Sequence, residues 1–480
     1  LKIRSFYIII ISMILLSCNS FKESNFSSTT GWKYNDRNAG NFKVSFENKL
    51  STPPGLVFIE GGLIKLGTDE EDVRNEWNSS NRRVTVNSFY IDKTEISNVN
   101  YREYLHYLTQ RFEKSNPAII ADAKPDELVW RNTLSYNEPY VEAYFESPAF
   151  NNYPVVGVSW KQATDYCLFR TNKVNELILI SKGYLRKLNF KDTTNKNDFD
   201  TKSYLLGRYE PPPIIVNGKR IKAPKASIND GILYPAYRLP TESEWEYAAN
   251  GVLKDFNPQH KKDKNLTSSN ELITLRKLNV FGNNKINYRD ENRNYIANFK
   301  QSTGNYKGVI GDNSDNYIFT APVLTYAPNA FGLYNMLGNV NEWVFDVYRP
   351  LNYLEVSDIN PFRGNEYKEI DDSDTSNMRD EKGYIKQRLQ NEAEIAKRTN
   401  YDKVNEADKD DGDAQSNTYY NYGVTTLINN KSRVYKGGSW NDRAYWLNPG
   451  RRRFLDENKS SSTIGFRCAM SFYGASKNTN

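Results

Sequence analysis

Apolar side chains are scarce in this chain, and many of those present also carry a hydroxyl. They make up 38% of 480 residues, mean hydropathy is −0.74, and 34 tyrosines and 23 phenylalanines supply much of the apolar volume. Such a chain is expected to build a modest core with long solvated loops around it. Aromatic rings then fill the space between loops while tyrosine hydroxyls satisfy nearby backbone groups. The length allows two or three average domains or one large irregular one. Basic residues exceed acidic ones by only six, 64 against 58, with no Lys/Arg stripe interleaved with aromatics, so nucleic-acid binding is not expected.

The start of the chain reads as a processing signal. Lys2 and Arg4 precede an apolar stretch from Phe6 to Leu16, and Leu15-Leu16-Ser17-Cys18 has the form of a lipobox. The stretch is shorter than the roughly 20 residues of a membrane span. Residues 1–17 are therefore expected to be a lipoprotein signal peptide, and Cys18 the lipidation site. Several acyl chains, at ~0.8 kcal/mol per buried methylene, would hold the mature protein on a membrane outside the cytoplasm. Residues 18–50, rich in Ser, Asn, Thr and Lys, read as a tether, although GWKYNDRNAGNF at 31–42 is too aromatic for pure linker. Beyond Cys18 only Cys167 and Cys468 remain, in a compartment that permits disulfides.

Local signals punctuate the rest. Apolar residues from Leu56 to Leu66, broken by Gly61 and Gly62, predict a hairpin or two strands, and RRVTVNSFYID from Arg82 predicts another. Ser97 can cap a helix whose Tyr101, Tyr104, Leu105, Leu108 and Phe112 share one face, expected against a sheet. A second helix is expected after Ser159, with Ala163, Cys167 and Val174 near one side. Thr241 and Glu244 form a capping box before Trp245 and Ala248, and Gly251 can end that third helix. Glu242 and Glu246 then read as charges near a helix terminus rather than general acids. Polar insertions separate these elements near 176–230, 251–292 and 351–430, and serve either as solvated loops or as partner-docking surfaces.

Common catalytic signatures are absent from the sequence. His106 and His260 are its two histidines, far apart, and no Walker loop, CxxC pair or HExxH string occurs. His106 reads as a helix polar-face or packing residue.

Five strings carry a family resemblance: GLVFIEGGLIKLG from Gly55, YRLPTESEWEYAA from Tyr237, FGLYNMLGNVNEW from Phe331, YKGGSWNDRAYWLNPGRRR from Tyr435, and TIGFRCA from Thr463. Together they resemble the formylglycine-generating (sulfatase-modifying factor) family, whose enzymes oxidise a substrate cysteine with two reactive thiols. The resemblance implies an α+β fold related to C-type lectin-like folds, with little regular secondary structure, over residues 51–475 and with a tail at 476–480. It puts the two thiols at Asp442 and Leu447, neither of which supplies an ionisable sulfur. No enzymatic activity, no catalytic residue and no copper are therefore expected.

The same resemblance implies a disulfide between Cys167 and Cys468 and two structural calcium ions. One ion would take Asn298, the Phe299 carbonyl, Asp315 and the Tyr317 carbonyl, with tyrosine where the enzymes have phenylalanine. The other would take Asn335, the Gly338 and Val340 carbonyls, and Glu342. Loop and turn hydrogen bonds are the plainer reading of the same Asn and Asp residues. Ser439 and Arg451 to Arg453 fall where the family has its substrate cleft, either lining a polar groove or simply buried.

Within the family, GWKYNDRNAGNF, the segment from Arg82 to Leu105, LVWRNTLSYNEPYVEAYF from Leu128 and YPVVGVSWKQATDYC from Tyr153 resemble its non-enzymatic lipoproteins of bacterial gliding motility and type IX secretion. That likeness implies an outer-membrane protein facing the periplasm, with other lipoproteins and ring proteins of that machinery as partners. Asn19, rather than aspartate, follows Cys18 and agrees with the outer membrane. A residual modifying enzyme and a peptide- or glycan-binding module are the alternatives.

Overall fold

The computed structural model describes residues 26–40, 42–44, 51–67, 82–186, 198–216, 219–250, 295–300, 317–349, 357–366, 368–373, 378–390 and 428–473. The signal peptide, Cys18, Gly251, His260, Asp315 and the second insertion lie outside the described residues. Among those described, no helix is long and apolar enough to cross a membrane.

The chain divides into two compact units. The smaller comprises Leu1–Ser51, Ile178–Arg186 and Pro211–Leu233, so part of the first insertion shares a unit with the segment read as a tether. Its described part includes an antiparallel bridge between Phe26 and Lys33 and a hairpin of strands that are numbered with the rest below.

In chain order the strands are β1 (Leu56–Ile59), β2 (Gly62–Leu66), β3 (Arg82–Val86), β4 (Phe89–Asp92), β5 (Ile214–Val216), β6 (Lys219–Ile221), β7 (Tyr237–Arg238), β8 (Asn341–Val347), β9 (Lys368–Ile370), β10 (Gln387–Leu389), β11 (Ser432–Lys436), β12 (Arg453–Asp456), β13 (Ile464–Gly465) and β14 (Ala469–Ser471). The helices are α1 (Asn98–Phe112), α2 (Pro117–Ala123), α3 (Glu138–Ala143), α4 (Trp160–Ser181), α5 (Thr201–Leu205) and α6 (Glu242–Asn250).

The larger unit holds two four-stranded sheets, ordered β1-β4-β14-β7 and β12-β11-β8-β13, and the hairpins β2–β3 and β9–β10. The expected pair near residues 56–66 exists as two strands that do not pair with each other. β1 joins β4, and β2 joins β3. RRVTVNSFYID likewise yields two strands, β3 and β4, rather than one. Gly61 explains the break, because a Cβ there would come within 2.3 Å of the Val86 carbonyl oxygen. The apolar core runs from Ile59 and Ile91 of the first sheet to Val344 and Val434 of the second, sealed by Trp245, Ala248 and Ala249 of α6.

Capping boxes place two helices. Ser97 caps α1, where Tyr101, Tyr104, Leu105, Leu108 and Phe112 are all buried. Their face meets α4 and the C-terminal segment rather than a sheet: Tyr101 stacks on Tyr166 at 5.6 Å and meets Phe466 edge-on. The Thr241 backbone N–H donates to Glu244 Oε2 (2.9 Å) and the Glu244 N–H to Thr241 Oγ1 (3.2 Å), closing the box before α6. Glu242 and Glu246 differ from the expectation of helix-end charges. Lys436 Nζ, with a side chain 0% exposed, donates to both, and Arg452 grips Glu242 with two bonds. Tertiary partners 190 residues away in sequence, invisible to local pattern, set that role. His106 is exposed on α1 and bonded to Gln110.

Candidate cation site and the position of the two thiols

The loop entering β8 is wound tightly by residues that tolerate left-handed backbone. Asn335, Gly338 and Asn339 have φ of 51°, 80° and 62°. At Gly338 a Cβ would stand 2.4 Å from the Asn298 carbonyl oxygen, so this loop and the Asn298 segment need glycine in order to touch. The Asn339 N–H donates to that same carbonyl at 2.8 Å.

Around the contact lies a dry, oxygen-rich cluster. Glu95, 1% exposed, sits on the link between β4 and α1 and accepts from Asn339 Nδ2 (2.9 Å) and Asn335 Nδ2 (3.1 Å). Asn335 Nδ2 also reaches the Val323 carbonyl, and Asn298 Nδ2 the Phe319 carbonyl. Those acceptors fix both amides with nitrogen toward them, because a flipped amide would set oxygen against oxygen. Asn298 Oδ1 and Asn335 Oδ1 are then buried without a hydrogen-bond partner. Burial pushes the Glu95 carboxyl up to about 8, against the pull of Arg467 and with a push from Glu342.

Two orphaned amide oxygens beside a desolvated carboxylate fit a hard cation, which accepts amide, carbonyl and carboxylate oxygens in flexible geometry. Of the two expected calcium ions, one would draw on Asn298 with the Phe299 and Tyr317 carbonyls, and the other on Asn335 with the Gly338 and Val340 carbonyls, Glu95 being bonded to the Asn335 amide. Their contribution would be to brace the loops. Among the described residues no group of three His, Cys, Asp or Glu is placed to hold a metal, so amide and carbonyl oxygens would carry most of the coordination.

Glu342, expected as a ligand, is also bonded within the protein. Its Oε1 accepts from Arg467 (2.6 Å), and its Oε2 from both Arg467 Nε and Trp245 Nε1, each at 2.7 Å. Arg467 and Glu342 are both fully buried, so the pair neutralises a guanidinium in the core. Glu95, which sequence reading missed, is the carboxylate that takes the Asn335 and Asn339 amide nitrogens. Its signal was available: an acid set between Ile91 and Ile96 immediately before a helix cap.

The positions matched to the family's thiols are closed. Asp442 takes two bonds from Arg453 (2.6 and 2.8 Å), one from Ser439 Oγ (2.6 Å) and one from Asn341 Nδ2 (3.0 Å). Burial pushes its carboxyl up, but Arg453, Ser439 and Asn341 outweigh it and hold it below the usual range. Leu447, 2% exposed, packs with Ala297 and Phe299. Ser439, Arg451 and Arg452 are buried, with Arg452 committed to Glu242 and Arg451 stacked over Tyr445. Beside Asp442, Trp440 meets Trp130 (6.1 Å) and Phe319 (4.9 Å) in an aromatic cluster.

Cys167 and Cys468 come together as expected, but as thiols rather than a disulfide. Their sulfurs are 3.4 Å apart and fully buried, a nonbonded contact against about 2.05 Å for a bond. Burial and the neighbouring Cys167 sulfur push the Cys468 thiol well up. The two sulfurs pack there as small hydrophobes.

The chain is similar in sequence to several known proteins. The formylglycine-generating enzyme of Mus musculus is 26% identical over 61% of this chain, which spans 58% of that enzyme's length. The chaperone protein LppX of Paenibacillus barcinonensis is 25% identical over 64% of this chain and 77% of its own. Inactive C-alpha-formylglycine-generating enzyme 2 of Mus musculus is 24% identical over 62% of this chain and 70% of its own. The sulfatase-modifying factor enzyme 1-like domain matches residues 41–472, nearly the whole chain, and the protein belongs to that family.

Proposed function

We propose that this protein is a non-enzymatic structural lipoprotein of the bacterial gliding-motility and type IX secretion machinery, of the kind called GldJ. A lipid on Cys18 holds it at the outer membrane facing the periplasm, where it supports assembly or stability of the complex. Its partners are other lipoproteins and ring proteins of that machinery, including the sister GldK-like component. One observation carries the non-enzymatic part: Asp442 is locked to Arg453, and Leu447 lies in an apolar cluster, where the oxidase chemistry needs two thiolates. Family members named as inactive or as chaperones give precedent for the fold without the oxidation. Calcium at Glu95, Asn298 and Asn335 would stiffen the loops of such a scaffold, and no copper is required.

Crosslinking followed by pull-down from native membranes tests the assignment. Recovery of secretion-ring and sister lipoproteins is expected, and a monomer without them sinks the machine role. Incubating the purified protein with copper and a cysteine-containing peptide should give no formylglycine; turnover would restore the enzyme reading. The aromatic cluster of Trp130, Phe319 and Trp440 beside Asp442 supports a second reading as a peptide- or glycan-binding module, which quenching of tryptophan fluorescence by such ligands would favour.

A further inference from the structure

The N-terminal end of α6 borders a cavity that the scaffold reading leaves unused. It is small, about 40 Å³, and opens to solvent. Both signs of charge line it, but they are not equally committed. Glu242 is taken by Arg452 and Lys436. Glu246 accepts from Lys436 (2.9 Å) and from the Gly67 N–H (3.0 Å). Asp346 accepts from the backbone N–H groups of Glu242 (2.6 Å) and Arg363 (3.2 Å). No carboxylate is left over to serve another cation.

Arg82 is different. Its side chain is only 8% exposed, and one terminal nitrogen donates to the Ser357 carbonyl at 2.6 Å. The carboxylate of Asp358, 84% exposed, stays 3.8 Å away, and Arg82 Nε is buried without an acceptor. Arg363 lines the same cavity and is 6% exposed. Arg82, Arg363 and Arg452 balance Glu242, Glu246 and Asp346 around the cavity, and Arg452 is already committed to Glu242. Burial already lowers the hold of Arg82 on its proton, which the attraction of Asp358 does not fully offset. A guanidinium fork held this way matches oxyanions in shape and charge.

We propose that this cavity binds a small oxyanion, the phosphate or carboxylate group of a ligand, with Arg82 as the principal donor and Arg363 beside it. The site is separate from the calcium cluster and from Asp442, and it stands whether or not the scaffold reading does.

Calorimetric titration of the full chain with inorganic phosphate, and in parallel with acetate, tests it. Binding of at least one anion is expected, with phosphate alone indicating a phosphorylated ligand and acetate alone a carboxylate. Arg82→Gln should weaken that binding at least about tenfold, the loss of one charge-assisted hydrogen bond, while the circular dichroism spectrum is unchanged. If Arg82→Gln does not fold, Arg363→Gln should give the same loss. No binding of either anion up to about 10 mM, where even the weakest useful site would fill, overturns the proposal. So does binding that neither substitution alters.

Discussion

The cluster around Glu95 and the pocket around Asp442 treat their buried polar atoms in opposite ways. At Asp442 both carboxylate oxygens are bonded, by Arg453, Ser439 and Asn341, and the neighbouring Leu447 position is apolar. At Glu95 the amide nitrogens are satisfied but two amide oxygens, on Asn298 and Asn335, are not. A buried unsatisfied oxygen costs about 1–3 kcal/mol, so each of the two calls for a partner from outside the chain. The contrast separates a site that has been filled by its own chain from one that leaves buried acceptors open.

The strongest attack on that contrast is Glu342→Gln. If Glu342 serves Arg467 rather than a cation, losing its charge strands a fully buried guanidinium, and urea unfolding should show a loss of about 3–5 kcal/mol with or without calcium. A stability change that appears only with calcium would return Glu342 to the ligand set. Next, the double substitution Asp442→Cys and Leu447→Cys should cost about 2–3 kcal/mol, from the broken Arg453 pair and the trimmed core, and should yield no oxidase turnover with copper. Turnover would mean that the pocket is still poised.

Calcium itself, at tenfold over its Kd, should stabilise the protein by about 1.4 kcal/mol in a thermal melt, and Glu95→Gln should erase the effect. The pH dependence has a definite sign. The Glu95 carboxyl is raised to about 8 in the fold, whereas the unfolded chain titrates it near 4.5. Without calcium this group therefore costs nothing below 4.5, and stability falls as pH climbs through that window toward 8. Calcium should stabilise more at pH 8 than at pH 5, and an equal effect at both would remove Glu95 from the site. The smallest change expected is Asn298→Ala, about 1 kcal/mol for its bond to the Phe319 carbonyl, accompanied by weaker calcium binding.

Much of this was legible in the linear pattern because its causes are local. The Thr241–Glu244 box and the buried face of α1 each depend on a few adjacent residues. The meeting of Cys167 with Cys468 followed from the family resemblance, although the bond did not. The missed features span the chain. Glu95 lies 240 residues from Asn335, and Glu242 lies 194 from Lys436, so no periodicity could pair them.

The sequence by itself determined the family, the helix starts, and the loss of sulfur at the positions of the two thiols, since residue identity and short spacing suffice for each. Tertiary structure alone decided which acid neutralises Arg467, which one takes the Asn335 and Asn339 amides, and where a buried guanidinium nitrogen beside a cavity is left without an acceptor. Desolvation is the reason: a charge acquires its role from what burial removes and from which distant partner replaces the water, and both are fixed only once the chain has closed.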